Sequence, residues 1–221
     1  MNRYRLFGET IAVDRELALP RREESGGEPD VRVEEHAELE AAVDGDRLGH
    51  LAAGRVDLQY GGWLAALRPG ERYIWYQRRL LGDFDLPFLH VFERLVSPLY
   101  ATLSHSEYIC LHGGAVIADG RAWLVTGDTG AGKSTTSYEL MHRYGARLSS
   151  DEMAVIDLER GDLLAGSPAV RLARPAGSLE EAVEESEVHP ELEKRWFRLA
   201  PEHLAEGSAP LQSNKHERSS T

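Results

Sequence analysis

The sequence predicts an α/β fold built on a P-loop core with a small α+β module before it, and three observations carry that expectation. Gly127-Asp128-Thr129-Gly130-Ala131-Gly132-Lys133-Ser134 fits G-x-x-x-x-G-K-[ST] in full, with an apolar strand pattern before it and a helical pattern after it. Short apolar stretches bounded by Gly, Pro and Asp recur along the rest of the chain, as strands do. The chain has 221 residues, 42% of them apolar, which is enough for a sizeable buried core.

Tyr4-Arg5-Leu6-Phe7 and Thr10-Ile11-Ala12-Val13 read as strands closed by Leu19-Pro20, and Arg21 to Pro29 reads as a polar loop. Val31 to Val33, Val56 to Tyr60 and Tyr73 to Tyr76 are further short strands, with a turn at Pro69-Gly70. From Pro87 to His105, Phe88, Val91, Phe92, Leu95, Leu99 and Leu103 recur every three to four residues and predict a helix with one apolar face. Pro98 lies inside that pattern and predicts a bend or a break. Trp63, Trp75 and Trp123 with Tyr60, Tyr73 and Tyr76 are not interleaved with a basic patch, so they are expected in the core. The N-terminal module spans residues 1–105 on this reading.

Tyr108 to Ala118 reads as one strand, Asp119-Gly120 as a two-residue hairpin turn, and Ala122 to Thr126 as the returning strand. The helix after the glycine-rich segment runs from Lys133 to about Tyr144 and stops at Gly145. Arg147 to Ser150, Met153 to Leu158 and Ala169 to Leu172 supply later strands. Ser178-Leu179-Glu180-Glu181 has capping-box spacing and predicts an acidic helix, and Pro190 predicts the start of another that carries Trp196 and Phe197. The core is expected over residues 106–211, cut short near Leu211, with 212–221 a disordered tail.

With 25 basic and 37 acidic residues the net charge is −12, which argues against a nucleic-acid partner or an anionic membrane. No signal-peptide pattern follows Met1, and nowhere do about 18 apolar residues run together. Cys110 is the lone cysteine, so it forms no intrachain disulfide, and its apolar neighbours predict a buried thiol. A cytoplasmic protein is expected. His105 and His142 are not at metal-ligand spacing with any cysteine pair, so no zinc is assigned.

The chemistry of the loop explains its residue types. Glycines let successive backbone N–H groups approach phosphate oxygens, and the helix starting near Lys133 adds its unpaired amides and positive dipole end. Gly127, Gly130, Ala131 and Gly132 would form this cradle, with Asp128 and Thr129 shaping its backbone. Lys133 reaches the β- and γ-phosphates of ATP, the Ser134 hydroxyl coordinates Mg²⁺, and Thr135 lies against the α-phosphate. Asn214-Lys215-His216-Glu217 departs from the guanine-reading N-K-x-D pattern and has no strand before it. Asp151 and Glu152, about 18 residues past the lysine, would divide the work of proton acceptor and Mg²⁺ ligand only at a strand end or bulge. A solvated acidic turn is the plain alternative.

Leu111-His112-Gly113-Gly114-Ala115-Val116, the Asp119-Gly120 turn, Leu124 to Thr135, and Arg147-Leu148-Ser149-Ser150-Asp151-Glu152 together resemble the catalytic core of the HPr kinase/phosphorylase family. These motifs cover about residues 108–158. That family phosphorylates serine in a protein and is related in architecture to phosphoenolpyruvate carboxykinase. Tyr4-Arg5-Leu6-Phe7-Gly8, Leu19-Pro20 and the segment from Leu86-Pro87 to Leu103 further resemble the HPr-kinase-like proteins of peptide-tailoring clusters, including lasso-peptide kinases.

The resemblance implies that Asp151 is the general base and that Glu152, where the family usually has Asp, helps Ser134 to hold Mg²⁺. It places His112 near the reacting phosphate, although a histidine hydrogen-bonded at a strand end is the other reading. Arg171 fits either a surface arginine or a cation on the transferring phosphoryl group. The expected activity is Mg-ATP-dependent phosphorylation of a serine on a peptide or small protein. A nucleotide-binding scaffold without transferase activity and a small-molecule or carboxykinase-like enzyme are the alternatives.

Overall fold

The computed structural model describes residues 1–17, 19, 27–39, 49–52, 55–79, 86–166, 169–172, 183–188 and 195–212. Seven strands of the N-terminal part make one mixed sheet: β1 (Asn2–Leu6), β2 (Glu9–Val13), β3 (Val31–Glu35), β4 (Gly49–Ala52), β5 (Arg55–Tyr60), β6 (Trp63–Arg68) and β7 (Tyr73–Arg78). Their order is β1-β2-β3-β7-β6-β5-β4, with β2, β3 and β7 parallel and the remaining neighbours antiparallel. β6 is buried along its whole length, because Trp63, Ala65 and Leu67 face the main core while Leu64 and Ala66 pack with Leu39 and Trp75 on the other side. A strand covered on both faces loses the alternation that marks strands in a sequence, and β6 was not anticipated for that reason.

The helical segment that follows is α1 (Phe88–Val91), a π-helical turn (Phe92–Val96) and α2 (Ser97–Ser104). Ser97 donates its N–H to the Phe92 carbonyl, five residues back. Pro98 has no N–H to offer the Arg94 carbonyl, and its ring would collide with that carbonyl in a regular helix; the wider turn relieves both problems. The extra residue shifts the helix phase. Val96, Tyr100 and Ala101 become buried, while Leu95 and Leu99 are only half-buried and Leu103 is 39% exposed, so the apolar face expected from Leu95, Leu99 and Leu103 is corrected.

Phe88, Val91, Phe92, Val96 and Tyr100 pack onto Phe7, Ile11, Val31, Val33, Leu67, Ile74 and Tyr76 in one core, which Val155 and Leu164 join from the second part of the chain. Truncating a fully buried aromatic such as Phe92 to Ala costs about 3–5 kcal/mol in such a setting.

The second part holds β8 (Tyr108–His112), β9 (Gly114–Ala118), β10 (Arg121–Val125), α3 (Lys133–Tyr144), β11 (Arg147–Ser150), β12 (Met153–Asp157) and β13 (Asp162–Leu164). β14 (Ala169–Leu172), β15 (Val183–Val188), β16 (Arg195–Leu199) and β17 (Ser208–Pro210) complete it. Three small sheets result, ordered β10-β9-β11, β17-β13-β12-β8 and β14-β16-β15. Asp119 and Gly120, at φ 50° and 70°, form the two-residue hairpin turn between β9 and β10. Gly145 closes α3 at φ 65°, donating its N–H to the Leu140 and Met141 carbonyls. Tyr138 and Met141 of α3 pack on Val116, Leu148, Val170, Leu172, Phe197 and Leu199.

Four further expectations change. Tyr108 to Ala118 is two strands, because the chain leaves one sheet at Gly113 and enters another. Trp196 and Phe197 lie on β16, paired with β14 and β15, and residues 183–188 of the expected acidic helix form β15. Ser178 to Glu181, Pro190, most of the polar loop and the tail from Ser213 lie outside the described residues. Trp63 and Tyr76 are core residues as expected, but Trp123 is 45% exposed. Among the described residues no helix is long and apolar enough to cross a membrane.

Candidate functional site

β10 ends at Val125, and the chain passes through the glycine-rich segment into α3. Gly130 and Gly132 both sit at φ 85°, a region open to glycine and costly for other residues, and Gly132 caps α3 without a side chain. Lys133 folds back over the loop, its Nζ donating to the carbonyls of Gly127 at 2.9 Å and Asp128 at 3.1 Å. Gly127 to Ala131 and Thr135 are exposed, and Lys133 and Ser134 are half-buried.

Two further glycines seat this loop. A Cβ on Gly113 would lie 2.9 Å from the Val125 carbonyl, and one on Gly114 would lie 2.4 Å from the Ser137 Oγ of α3. Their bare backbones let the β8–β9 junction sit against the end of β10 and the first turns of α3. Gly113 also donates its N–H to the Glu152 carbonyl at 2.9 Å, which ties this junction to that between β11 and β12.

Asp151 and Glu152 occupy that second junction, past the end of β11, and β11 shows a register shift against β9 between Leu148 and Ser150. The strand-end condition that both carboxylates required is met. Both are buried, so the solvated-turn alternative does not describe them. Asp151 Oδ2 accepts the Arg171 backbone N–H at 2.8 Å, and the Ser134 hydroxyl bonds to the same carboxylate. Burial raises the Asp151 pKa above the aspartate range, and these hydrogen bonds with Arg171 and Arg94 oppose the rise only in part. Its Oδ1 is buried without a hydrogen-bond partner among the described residues.

The Glu152 carboxylate pairs with two guanidinium groups, those of Arg94 from the π-helical turn and Arg171 from β14. The arginine side chains are 18% and 15% exposed, so Arg171 is not a surface arginine. Burial, then Arg171, pulls the Arg94 pKa down to about 10, and burial lowers Arg171 as well. Tyr60 of β5 acts on both arginines, and Glu93 on Arg94. His112, at the end of β8, is held below the usual imidazole value by partial desolvation and then by Lys133, Arg171 and Arg94. It is therefore neutral near pH 7.

The structure brings Lys133, Ser134, His112, Asp151, Glu152 and Arg171 together around the start of α3, and leaves Asp128, Thr129 and Thr135 at the exposed face of the loop. Arg94 and Glu93 went unnoticed in the sequence, and Tyr60 was expected only as a core aromatic. No spacing relates them to the loop, and the only signal was a charged pair, Glu93-Arg94, amid apolar helix positions.

Chemically, Ser134 and Glu152 offer hard oxygens that fit Mg²⁺, and the orphaned Asp151 Oδ1 beside them has a free lone pair for a proton. Among the described residues no three His, Cys, Asp or Glu side chains converge on a metal position. Mg²⁺ commonly needs only one or two protein ligands when phosphates complete its shell. The chain matches no family model, no curated protein and no solved structure.

Proposed function

We propose that the chain is an Mg-ATP-dependent kinase with a P-loop core of the HPr kinase type, phosphorylating a serine hydroxyl on a peptide or small protein. The contact between Ser134, at the start of α3, and the buried Asp151 carboxylate carries this reading. It joins a loop suited to phosphate to a proton acceptor of raised affinity.

On this reading the amides of residues 127–132 and Lys133 take the β- and γ-phosphates, and Lys133 exchanges the Gly127 and Asp128 carbonyls for phosphate oxygens. Ser134 and Glu152 would hold Mg²⁺, which would supply positive charge to the phosphates when bound. Asp151 Oδ1 takes the proton of the acceptor serine as its Oγ attacks the γ-phosphorus and the bond to ADP breaks. The neutral His112 imidazole hydrogen-bonds the transferring group.

The test is transfer of labelled γ-phosphate from ATP to serine peptides. Asp151→Asn should lower transfer by about 10²–10⁴-fold, and wild-type transfer by this variant would remove Asp151 as base. A second reading, a nucleotide-binding scaffold, is favoured by the pairing of Glu152 with two arginines, which occupies the intended metal ligand. Lys133-dependent ATP binding without transfer or hydrolysis would select it.

A further inference from the structure

We propose that Arg94 and Arg171 form a clamp for an oxyanion, whose resting occupant is the Glu152 carboxylate and whose working occupant is the terminal phosphoryl group of the bound nucleotide. This inference rests on the kinase reading and adds to it a residue contributed by the N-terminal module. It also supplies a reason for the Glu152 pairing: arrival of the phosphate displaces the carboxylate and frees it for Mg²⁺.

The two guanidinium groups come from elements far apart in sequence, the π-helical turn and β14, and meet on one carboxylate. Both are mostly removed from water, a placement that is unfavourable for an ion unless a well-placed anion answers it. The anion they hold lies next in sequence to Asp151, and Asp151 accepts a hydrogen bond from the Arg171 backbone. Lys133, Arg171 and Arg94 each hold the pKa of the one imidazole of His112 down, after its partial desolvation.

Guanidinium forks bind phosphate and carboxylate alike through paired N–H···O bonds, and a terminal phosphoryl group brings three oxygens and more charge than a carboxylate. Exchange of one oxyanion for the other therefore needs no new binding chemistry. Arg94 is carried by the π-helical turn that accommodates Pro98, and this turn presents it to the Glu152 carboxylate.

The experiment uses the full-length chain, calorimetric titration and no added metal. Inorganic phosphate should bind Glu152→Gln about tenfold tighter than wild type, the scale of one charge-assisted hydrogen bond gained, and the added change Arg94→Gln should abolish that gain. Unchanged or weaker phosphate binding by Glu152→Gln overturns the clamp. Arg94→Lys keeps the charge and loses the planar fork, so it supplies a second readout with fluorescent nucleotides. ATP should lose about tenfold in affinity while ADP is little affected, and equal losses for both overturn the proposal. Lys133→Ala separates the two levels. If it binds ATP as wild type does, the kinase reading falls; if it loses ATP while Glu152→Gln gains no phosphate affinity, the clamp alone falls.

Discussion

Gly114→Ala tests how closely α3 must approach β9 for the loop to take its shape. The new Cβ would stand 2.4 Å from Ser137 Oγ, about 1 Å short of ordinary contact, with the Asp151 carbonyl and Ser137 Cβ both at an acceptable 3.6 Å. The obstruction is thus one hydroxyl oxygen. Ser137 is fully buried and its Oγ finds no hydrogen-bond partner among the described residues, so it can neither move to solvent nor be missed if removed. Overpacking of this kind costs about 1–3 kcal/mol, and for a chain of this size that lowers Tm by about 2–12 °C. Ser137→Ala alone should be neutral or slightly stabilising, because it deletes a buried unsatisfied group. The double variant should recover most of the loss, giving a coupling of about 1–3 kcal/mol in a thermal-denaturation cycle. A double variant no more stable than Gly114→Ala would refute the assignment of the clash to Ser137 Oγ.

Lys133→Ala should leave Tm within about 1–2 °C of wild type, since its two bonds run to exposed loop carbonyls, while ATP affinity measured by fluorescence falls at least tenfold. Burial pushes the Cys110 thiol up to about 11. Alkylation at pH 8 should therefore be about two orders of magnitude slower in the folded protein than after unfolding. Tyr100 is buried, and burial, the largest influence, raises its pKa, with Ser104 opposing and Glu9 adding. The native state thus holds this proton more tightly than the unfolded state does. Its stabilising contribution is full below about pH 10 and is lost as pH rises beyond it. Tyr100→Phe should flatten the alkaline limb of a Tm-against-pH curve, and an unchanged limb would place the loss elsewhere.

What could be read from the sequence was local. Asp119-Gly120 announces its turn because few residues adopt two successive positive φ angles, and Gly145 marks the end of α3 for the same reason. The glycine-rich segment carries its own spacing. Elements whose identity depends on distant partners were missed or misjudged. β16 is a strand because β14 and β15 flank it, whereas Pro190 before it suggested a helix start. The phase of the helical segment turned on how Pro98 would be accommodated, and a π-helical turn is not encoded in the apolar spacing alone. Lys133, Ser134 and Asp151 could be named because one short stretch relates them. Arg94 and Tyr60 reach the same place from other sheets and elements, and only the folded chain shows it.

Two ribbons change sheets side by side, β8 to β9 at Gly113 and β11 to β12 at Asp151 and Glu152, joined there by the Gly113 N–H. The separation of His112 from the start of α3 is then governed by the angle between two sheets, and neither sheet's own hydrogen-bond ladder determines it. Substitutions that alter sheet twist at the far ends of these strands act on the site as a lever does. They would change its geometry while every ladder stays intact, so activity and melting temperature can diverge along β8, β9, β11 and β12.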